Sequence, residues 1–102
     1  MFTATPEELR NRLNSLPRFS LAALPTPLQP LEKLSALLGG PSLYIKREDL
    51  TGMAMGGNKI REFEYQIAQA VEAGCDVLVH SAGAQSNQSC MTAAVAAKLG
   101  LQ

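Results

Sequence analysis

The chain has 102 residues, of which 46% are hydrophobic and 18% charged, and nine basic residues balance nine acidic ones. This composition is that of a globular protein, and the zero net charge gives no reason to expect nucleic acid or an anionic membrane as a partner. No apolar run approaches the ~20 residues that span a bilayer, and the N-terminus lacks the basic and apolar regions of a signal peptide. Cys75 and Cys90 have no metal-site spacing, so we expect two reduced, buried thiols in a cytoplasmic protein.

Helical patterns recur along the chain, and each is bounded by recognisable start or stop signals. Thr5 is a candidate N-cap for the first helix, whose leucines form an apolar stripe, and glycines follow the later helices. Three prolines keep residues 24–30 extended. The predicted helices cover residues 6–13, 31–38, 59–73 and 92–99.

Two predicted strands, at residues 42–46 and 76–80, alternate with the last two helices. This order predicts an α/β architecture with parallel strands, in which ligands bind beyond the carboxyl ends of the strands. Two strands do not complete an open parallel sheet, so we expect a third strand after Gln102 and interpret residues 1–102 as an N-terminal fragment. The alternative is a small complete domain that finishes its sheet by oligomerising.

The first candidate site is the glycine-rich turn at residues 51–58 and the lysine that follows it. Asn58 can cap the next helix, which places Lys59 in the first turn, near the positive end of the helix dipole. Lys46, Arg47 and Arg61 would add repulsion if they lie nearby. Such surroundings favour the neutral amine that an imine-forming lysine requires. The alternative is an ordinary surface lysine.

The second candidate site is the loop of small residues at 81–89, between the second strand and the last helix. Ser86, Asn87 and Gln88 offer polar groups at a helix N-terminus, where an anion or a polar ligand group can bind. The alternative is a polar cap without a ligand. His80 is interpreted as a partly buried structural residue, and with one histidine in the chain we expect no metal site.

Taken together, these segments resemble the D-cysteine desulfhydrase and 1-aminocyclopropane-1-carboxylate (ACC) deaminase family from about Phe19 onward. Each motif alone is weak, but their order and spacing are specific. The segments that carry the resemblance are PTPL (25–28), YIKREDLTG (44–52), MGGNK (55–59) with Arg61, GAQSNQ (83–88) and AAVAAKLG (93–100).

The resemblance implies the three-layer αβα parallel-sheet architecture of fold-type-II pyridoxal-phosphate enzymes, with only its N-terminal part present. It implies that Lys59 holds pyridoxal 5'-phosphate covalently, with Asn58 supporting the lysine turn and Asn87 hydrogen-bonding the ring oxygen of the cofactor. Ser86 is implied as a catalytic group for proton transfer or for binding the substrate carboxylate, and Asn87 and Gln88 as further substrate-binding residues.

The preferred activity is that of a D-cysteine desulfhydrase, a lyase that converts D-cysteine into pyruvate, ammonia and hydrogen sulfide. The residues before the double glycine, Met53 to Met55, favour this activity, whereas Gln88 slightly favours the alternative, ACC deaminase. A non-catalytic binding module is an alternative of another class. Cys90, Met91 and Glu62 depart from the family pattern, which leaves the substrate open. We expect a small amino-acid substrate, a homodimer for the full-length enzyme, and no activity from residues 1–102 alone.

Overall fold

The computed structural model describes residues 4–102. The elements run along the chain in the order helix, strand, helix, strand, short 3-10 helix and two longer helices. Their bounds are α1 Pro6–Asn14, β1 Leu28–Pro30, α2 Glu32–Leu38, β2 Tyr44–Lys46, the 3-10 turn Glu48–Leu50, α3 Lys59–Glu72 and α4 Asn87–Leu99.

Helix α1 begins at the predicted N-cap. The Thr5 side chain accepts the backbone N–H of Glu8, and the Glu8 carboxylate accepts the backbone N–H of Thr5 in return. This reciprocal pair is a capping box, which satisfies two backbone donors at once. The predicted apolar stripe of Leu9, Leu13 and Leu16 is more than 40% exposed at each residue, so no part of the described chain covers it fully.

The two assigned strands form an antiparallel pair, with Leu28 opposite Lys46 and Pro30 opposite Tyr44. The sequence predicted the extended conformation of the proline segment (residues 24–30) but not this pairing. It also predicted that β2 belongs to a parallel sheet, and in residues 4–102 β2 pairs with β1 instead. The reason is proximity in sequence, since α2 and two short connections bring the proline segment back alongside β2.

The predicted strand at residues 76–80 is not assigned as a strand, although it has a parallel-type contact. The Leu78 N–H donates to the Gln102 carbonyl at 2.6 Å, and the Gln102 N–H donates to the Asp76 carbonyl at 2.9 Å. Gln102 thus bonds to the two residues on either side of Val77, which is the hydrogen-bond pattern of neighbouring parallel strands. Gln102 is the one residue that pairs in this way with residues 76–80 in the described chain, and its direction agrees with the predicted parallel arrangement.

Helices α3 and α4 pack together around the main core. Ile60 and Val95 are fully buried, and Met91 is 1% exposed. The remaining members of this cluster are Leu21, Met53, Phe63 and Ile67. The core therefore joins the segment before the proline segment, the glycine-rich turn and both long helices.

Helix α4 begins five residues earlier than predicted, at Asn87 rather than Thr92. The Ser86 carbonyl accepts the N–H of Ser89 at 3.1 Å and that of Cys90 at 3.4 Å, which starts the helix. The sequence pattern concealed this turn because asparagine and serine have low helix propensity. Burial of Met91 in the core stabilises the turn despite that propensity.

The structure agrees with the burial predicted for the histidine but not with that predicted for the cysteines. Cys75 and Cys90 are free, as predicted, but both are exposed rather than buried. Cys75 follows the end of α3, and Cys90 precedes the buried Met91 on α4, so neither side chain enters the core. His80 is partly buried, as predicted, and its Nε2 atom has no hydrogen-bond partner among the described residues.

A buried carboxylate on α3 holds the segment that precedes the proline segment. Glu64 is 1% exposed and accepts the backbone N–H groups of Leu21 and Ala22, each at 2.8 Å. Its second oxygen pairs with Arg18 at 2.6 Å. Burial alone would raise the pKa of Glu64, but the two backbone hydrogen bonds and the Arg18 guanidinium outweigh it and lower the pKa below its ordinary value.

We expect Glu64→Gln to destabilise the whole protein by about 2–4 kcal/mol at neutral pH, because an amide nitrogen replaces an acceptor and the ion pair is lost. Because the folded-state pKa is lowered, the stabilisation is present above the ordinary pKa of 4.5 and is lost as pH falls below it. The free energy of unfolding is measured by chemical denaturation at pH values above and below 4.5. Glu72→Gln, at the exposed end of α3, is the control and should change stability by less than about 0.5 kcal/mol.

Candidate functional site

The glycine-rich turn folds against the 3-10 turn that precedes it. The Gly57 N–H donates to the Glu48 carbonyl at 2.7 Å, and the buried Thr51 hydroxyl donates to the Gly57 carbonyl at 3.0 Å. Gly56 has φ +75°, and a Cβ atom there would lie 2.2 Å from the Asp49 carbonyl oxygen. Only glycine fits this approach, and the resulting turn delivers the chain to Lys59, the first residue of α3.

A network of three side chains ties this turn to the proline segment. Arg61 donates to both oxygens of Glu48, at 2.6 and 2.8 Å, and the Thr26 hydroxyl donates to Glu48 at 2.5 Å. Arg61 also donates to the Thr26 hydroxyl at 3.1 Å. Hydrogen bonds from Arg61 and Thr26 lower the pKa of Glu48 to about 2, so the carboxylate is ionised throughout the neutral range.

The charged run KRED (residues 46–49) makes two kinds of contact, one on the solvated surface and one beside the glycine-rich turn. Arg47 and Asp49 pair with each other at 2.6 Å, and the Asp49 side chain is 54% exposed, so this pair is a solvated surface contact. Glu48 turns the other way and borders the glycine-rich turn. Thr26, which is 3% exposed, was not recognised from the sequence as part of this site. The sequence feature that could have indicated Thr26 is its place between Pro25 and Pro27, where a hydroxyl residue stands among apolar neighbours.

Lys59 occupies the predicted first position of α3, and its side chain is 48% exposed. Its ion-pair partner is Glu62, with Nζ and Oε2 3.5 Å apart, and the other Glu62 oxygen accepts from Gln66 at 2.9 Å. The cations expected to repel Lys59 have partners of their own. Lys46 donates to the Thr26 carbonyl, and Arg47 and Arg61 pair with Asp49 and Glu48.

Asn58 lies at the N-cap position of α3, as predicted, but its side chain makes no capping hydrogen bond. Its φ and ψ of −80° and −16° are helical, whereas a capping side chain usually requires an extended backbone. The Asn58 carbonyl accepts the Arg61 N–H at 3.1 Å, so the residue supports the first turn through its backbone. Its side chain is exposed.

Ser86, Asn87 and Gln88 form the N-cap and the first two residues of α4. Ser86 makes no side-chain capping bond, and Asn87 is exposed. This group and Lys59 lie at the starts of two helices that share one core. Within residues 4–102, no side-chain hydrogen bond connects the two groups.

Comparison with known proteins assigns the chain to a family. The family described as pyridoxal-phosphate dependent enzyme matches residues 19–102. The chain belongs to this family. The match covers the glycine-rich turn, Lys59 and the start of α4, and pyridoxal phosphate is the cofactor predicted from the sequence.

Curated relatives are similar over most of the chain. The 1-aminocyclopropane-1-carboxylate deaminase of Ralstonia pickettii (strain 12J) is 54% identical over 92 residues, and that of Variovorax paradoxus is 55% identical over 92 residues. Each match covers 88% of this chain and 27% of the relative. The chain thus spans about a quarter of the length of these relatives.

A solved structure, described as that of an ACC deaminase homologue, superposes with a TM-score of 0.88 at 39% identity. The superposition covers 97% of this chain and 30% of the other. The resemblance inferred from the motifs is therefore confirmed, both in sequence and in fold. The three-layer αβα architecture that the resemblance implies stays a prediction.

No helix in residues 4–102 combines the length and the apolar character needed to cross a membrane. The same residues contain no group of three or more histidine, cysteine, aspartate or glutamate side chains arranged to hold a metal ion.

We expect Gly56→Ala to disrupt the glycine-rich turn. The substitution imposes a left-handed conformation on a residue with a Cβ atom, at about 1–2 kcal/mol, and adds the collision with Asp49. Gly39→Ala is the matched control, since Gly39 also has positive φ (+62°) but no atom within 4 Å of the added Cβ. Equal losses of thermal stability in the two variants would show that the close approach to Asp49 is unimportant.

Proposed function

We propose that this chain is the N-terminal part of the catalytic domain of a pyridoxal-phosphate dependent deaminase that acts on 1-aminocyclopropane-1-carboxylate. In this proposal it supplies a small-domain segment and the start of the cofactor-binding region of a three-layer αβα enzyme. The observation that carries the proposal is the 54–55% identity to proteins named ACC deaminase. A match that leaves out 12% of the chain necessarily includes its middle, where the glycine-rich turn and Lys59 lie.

This proposal reverses the preference drawn from the sequence. The motifs put D-cysteine desulfhydrase first, on the residues before the double glycine, and ACC deaminase second. The four curated relatives all have the name of the second activity. Gln88 was the residue that favoured ACC deaminase. D-cysteine therefore becomes the comparison substrate when activity is measured.

The residues present suit the cofactor. Lys59 offers an exposed primary amine on a backbone fixed by the glycine-rich turn, and its ion-pair partner is an exposed carboxylate. Asn87 offers an exposed amide at the start of α4, which can hydrogen-bond a ring oxygen. When bound, pyridoxal phosphate would supply the electron sink, and these residues would hold and orient it.

The roles proposed for Ser86, Asn87 and Gln88 are those that the family resemblance implies. Ser86 would transfer a proton or bind the substrate carboxylate, and Asn87 and Gln88 would contact the substrate. Asn58 would support the lysine turn through its carbonyl, which already accepts from Arg61. A homodimer and a cytoplasmic location are part of the same proposal.

The cofactor assignment predicts that the full-length protein binds pyridoxal phosphate covalently through Lys59. Borohydride reduction followed by peptide mapping should place the pyridoxyl group on Lys59, and Lys59→Ala should abolish trapping. Lys98→Ala, an exposed lysine in the last turn of α4, is the control and should leave trapping intact. Trapping on another native lysine in the Lys59→Ala protein would refute the assignment.

The proposed roles of Ser86 and Asn87 predict that substitutions of these two neighbouring residues have different effects. Ser86→Ala should retain the cofactor and lower ammonia release from ACC by about 10²- to 10⁴-fold, the usual cost of losing a proton-transfer group. Asn87→Ala should instead change the absorption spectrum of the bound cofactor. ACC and D-cysteine are assayed in parallel, and a faster release of ammonia from D-cysteine would restore the activity first predicted from the sequence.

A further inference from the structure

Glu48 contacts the chain on both sides of Lys59. Its backbone carbonyl accepts the N–H of Gly57, two residues before the lysine, at 2.7 Å. Its carboxylate accepts both donors of Arg61, two residues after the lysine, at 2.6 and 2.8 Å. One residue therefore fixes both flanks of Lys59, while making no contact with the Lys59 amine itself.

The Glu48 carboxylate is in turn held in place. The buried Thr26 donates to it from the proline segment, and the Thr26 carbonyl accepts from Lys46 on β2. The Glu48 side chain is 21% exposed, against 43% for Glu62. A bidentate arginine–carboxylate pair that is partly shielded from water is stronger and more directional than an exposed pair.

We infer that Glu48 is the positioning residue for Lys59: it holds the glycine-rich turn and the first turn of α3 in the register that presents the amine. The inference rests on the proposed function, because presentation of the amine matters only if Lys59 binds the cofactor aldehyde. Orientation of this kind has a large effect, since a small misplacement of a reacting group slows covalent chemistry strongly. Neither the sequence motifs nor the family match assigned Glu48 to the positioning of Lys59.

The test compares two ligands on the full-length, cofactor-free protein. Pyridoxal phosphate can bond covalently to Lys59, whereas pyridoxamine phosphate has the same ring and phosphate but no aldehyde. We expect Glu48→Gln to weaken binding of pyridoxal phosphate by about tenfold, the equivalent of one charge-assisted hydrogen bond. Binding of pyridoxamine phosphate should stay within roughly twofold of wild type, because it does not use the amine.

A matched pair of arginine variants supplies the control. Arg61→Lys keeps the charge but loses the bidentate contact with Glu48, so it should reproduce the selective loss. Arg47→Lys makes the same chemical change in the exposed pair with Asp49 and should bind both ligands as wild type does. All affinities are measured by fluorescence well below the melting temperature of each variant, so that a loss of stability alone does not change them.

The outcomes separate this inference from the proposed function. If wild-type protein shows no covalent attachment at Lys59, the proposed function is wrong. If wild type is trapped at Lys59 but Glu48→Gln binds pyridoxal phosphate with unchanged affinity, the proposed function stands and the positioning inference is wrong. An equal loss for both ligands assigns Glu48 a general structural role and likewise overturns the inference.

Discussion

The ion pair between Glu48 and Arg61 is the contact on which the arrangement of the site depends. It joins the 3-10 turn after β2 to the first turn of α3, across the glycine-rich turn between them. Thr26 adds the proline segment to the same contact. Without this network, the glycine-rich turn would keep its backbone hydrogen bonds, the Thr51 hydroxyl contact and the packing of Met53. The loss of the remaining restraints matters here because glycines gain the most conformational freedom when restraints are lost.

Helix α3 organises the rest of the described chain through two faces. Its apolar face, with Ile60, Phe63 and Ile67, packs in the core shared with α4. Its other contacts are polar, since Arg61 reaches the proline segment and Glu64 binds the backbone that precedes it. The same helix that begins with Lys59 thus holds the proline segment and the residues just before it.

The sequence predicted the elements better than their contacts. Local signals placed the N-cap at Thr5, the stop at Gly39 and the start of α3 at Lys59, because each depends on a few neighbouring residues. It did not predict the pairing of β1 with β2 or the early start of α4, since both depend on distant contacts. At the site, the glycine-rich turn and the position of Lys59 at the start of α3 were predicted, whereas the contacts of Glu48 and Thr26 were not. Their partners lie 13 and 22 residues away along the chain.

The two restraints around Lys59 differ in strength, and the difference suits the proposed chemistry. The backbone on either side is held by a close glycine contact and by the shielded Glu48 pair. The amine itself pairs with Glu62 at 3.5 Å, with both side chains more than 40% exposed. Exposed pairs of this kind contribute only about 0.2–1 kcal/mol, so the amine can exchange its partner at little cost. A lysine that must leave a carboxylate and bond an aldehyde needs a fixed backbone and a free amine, and this turn provides both.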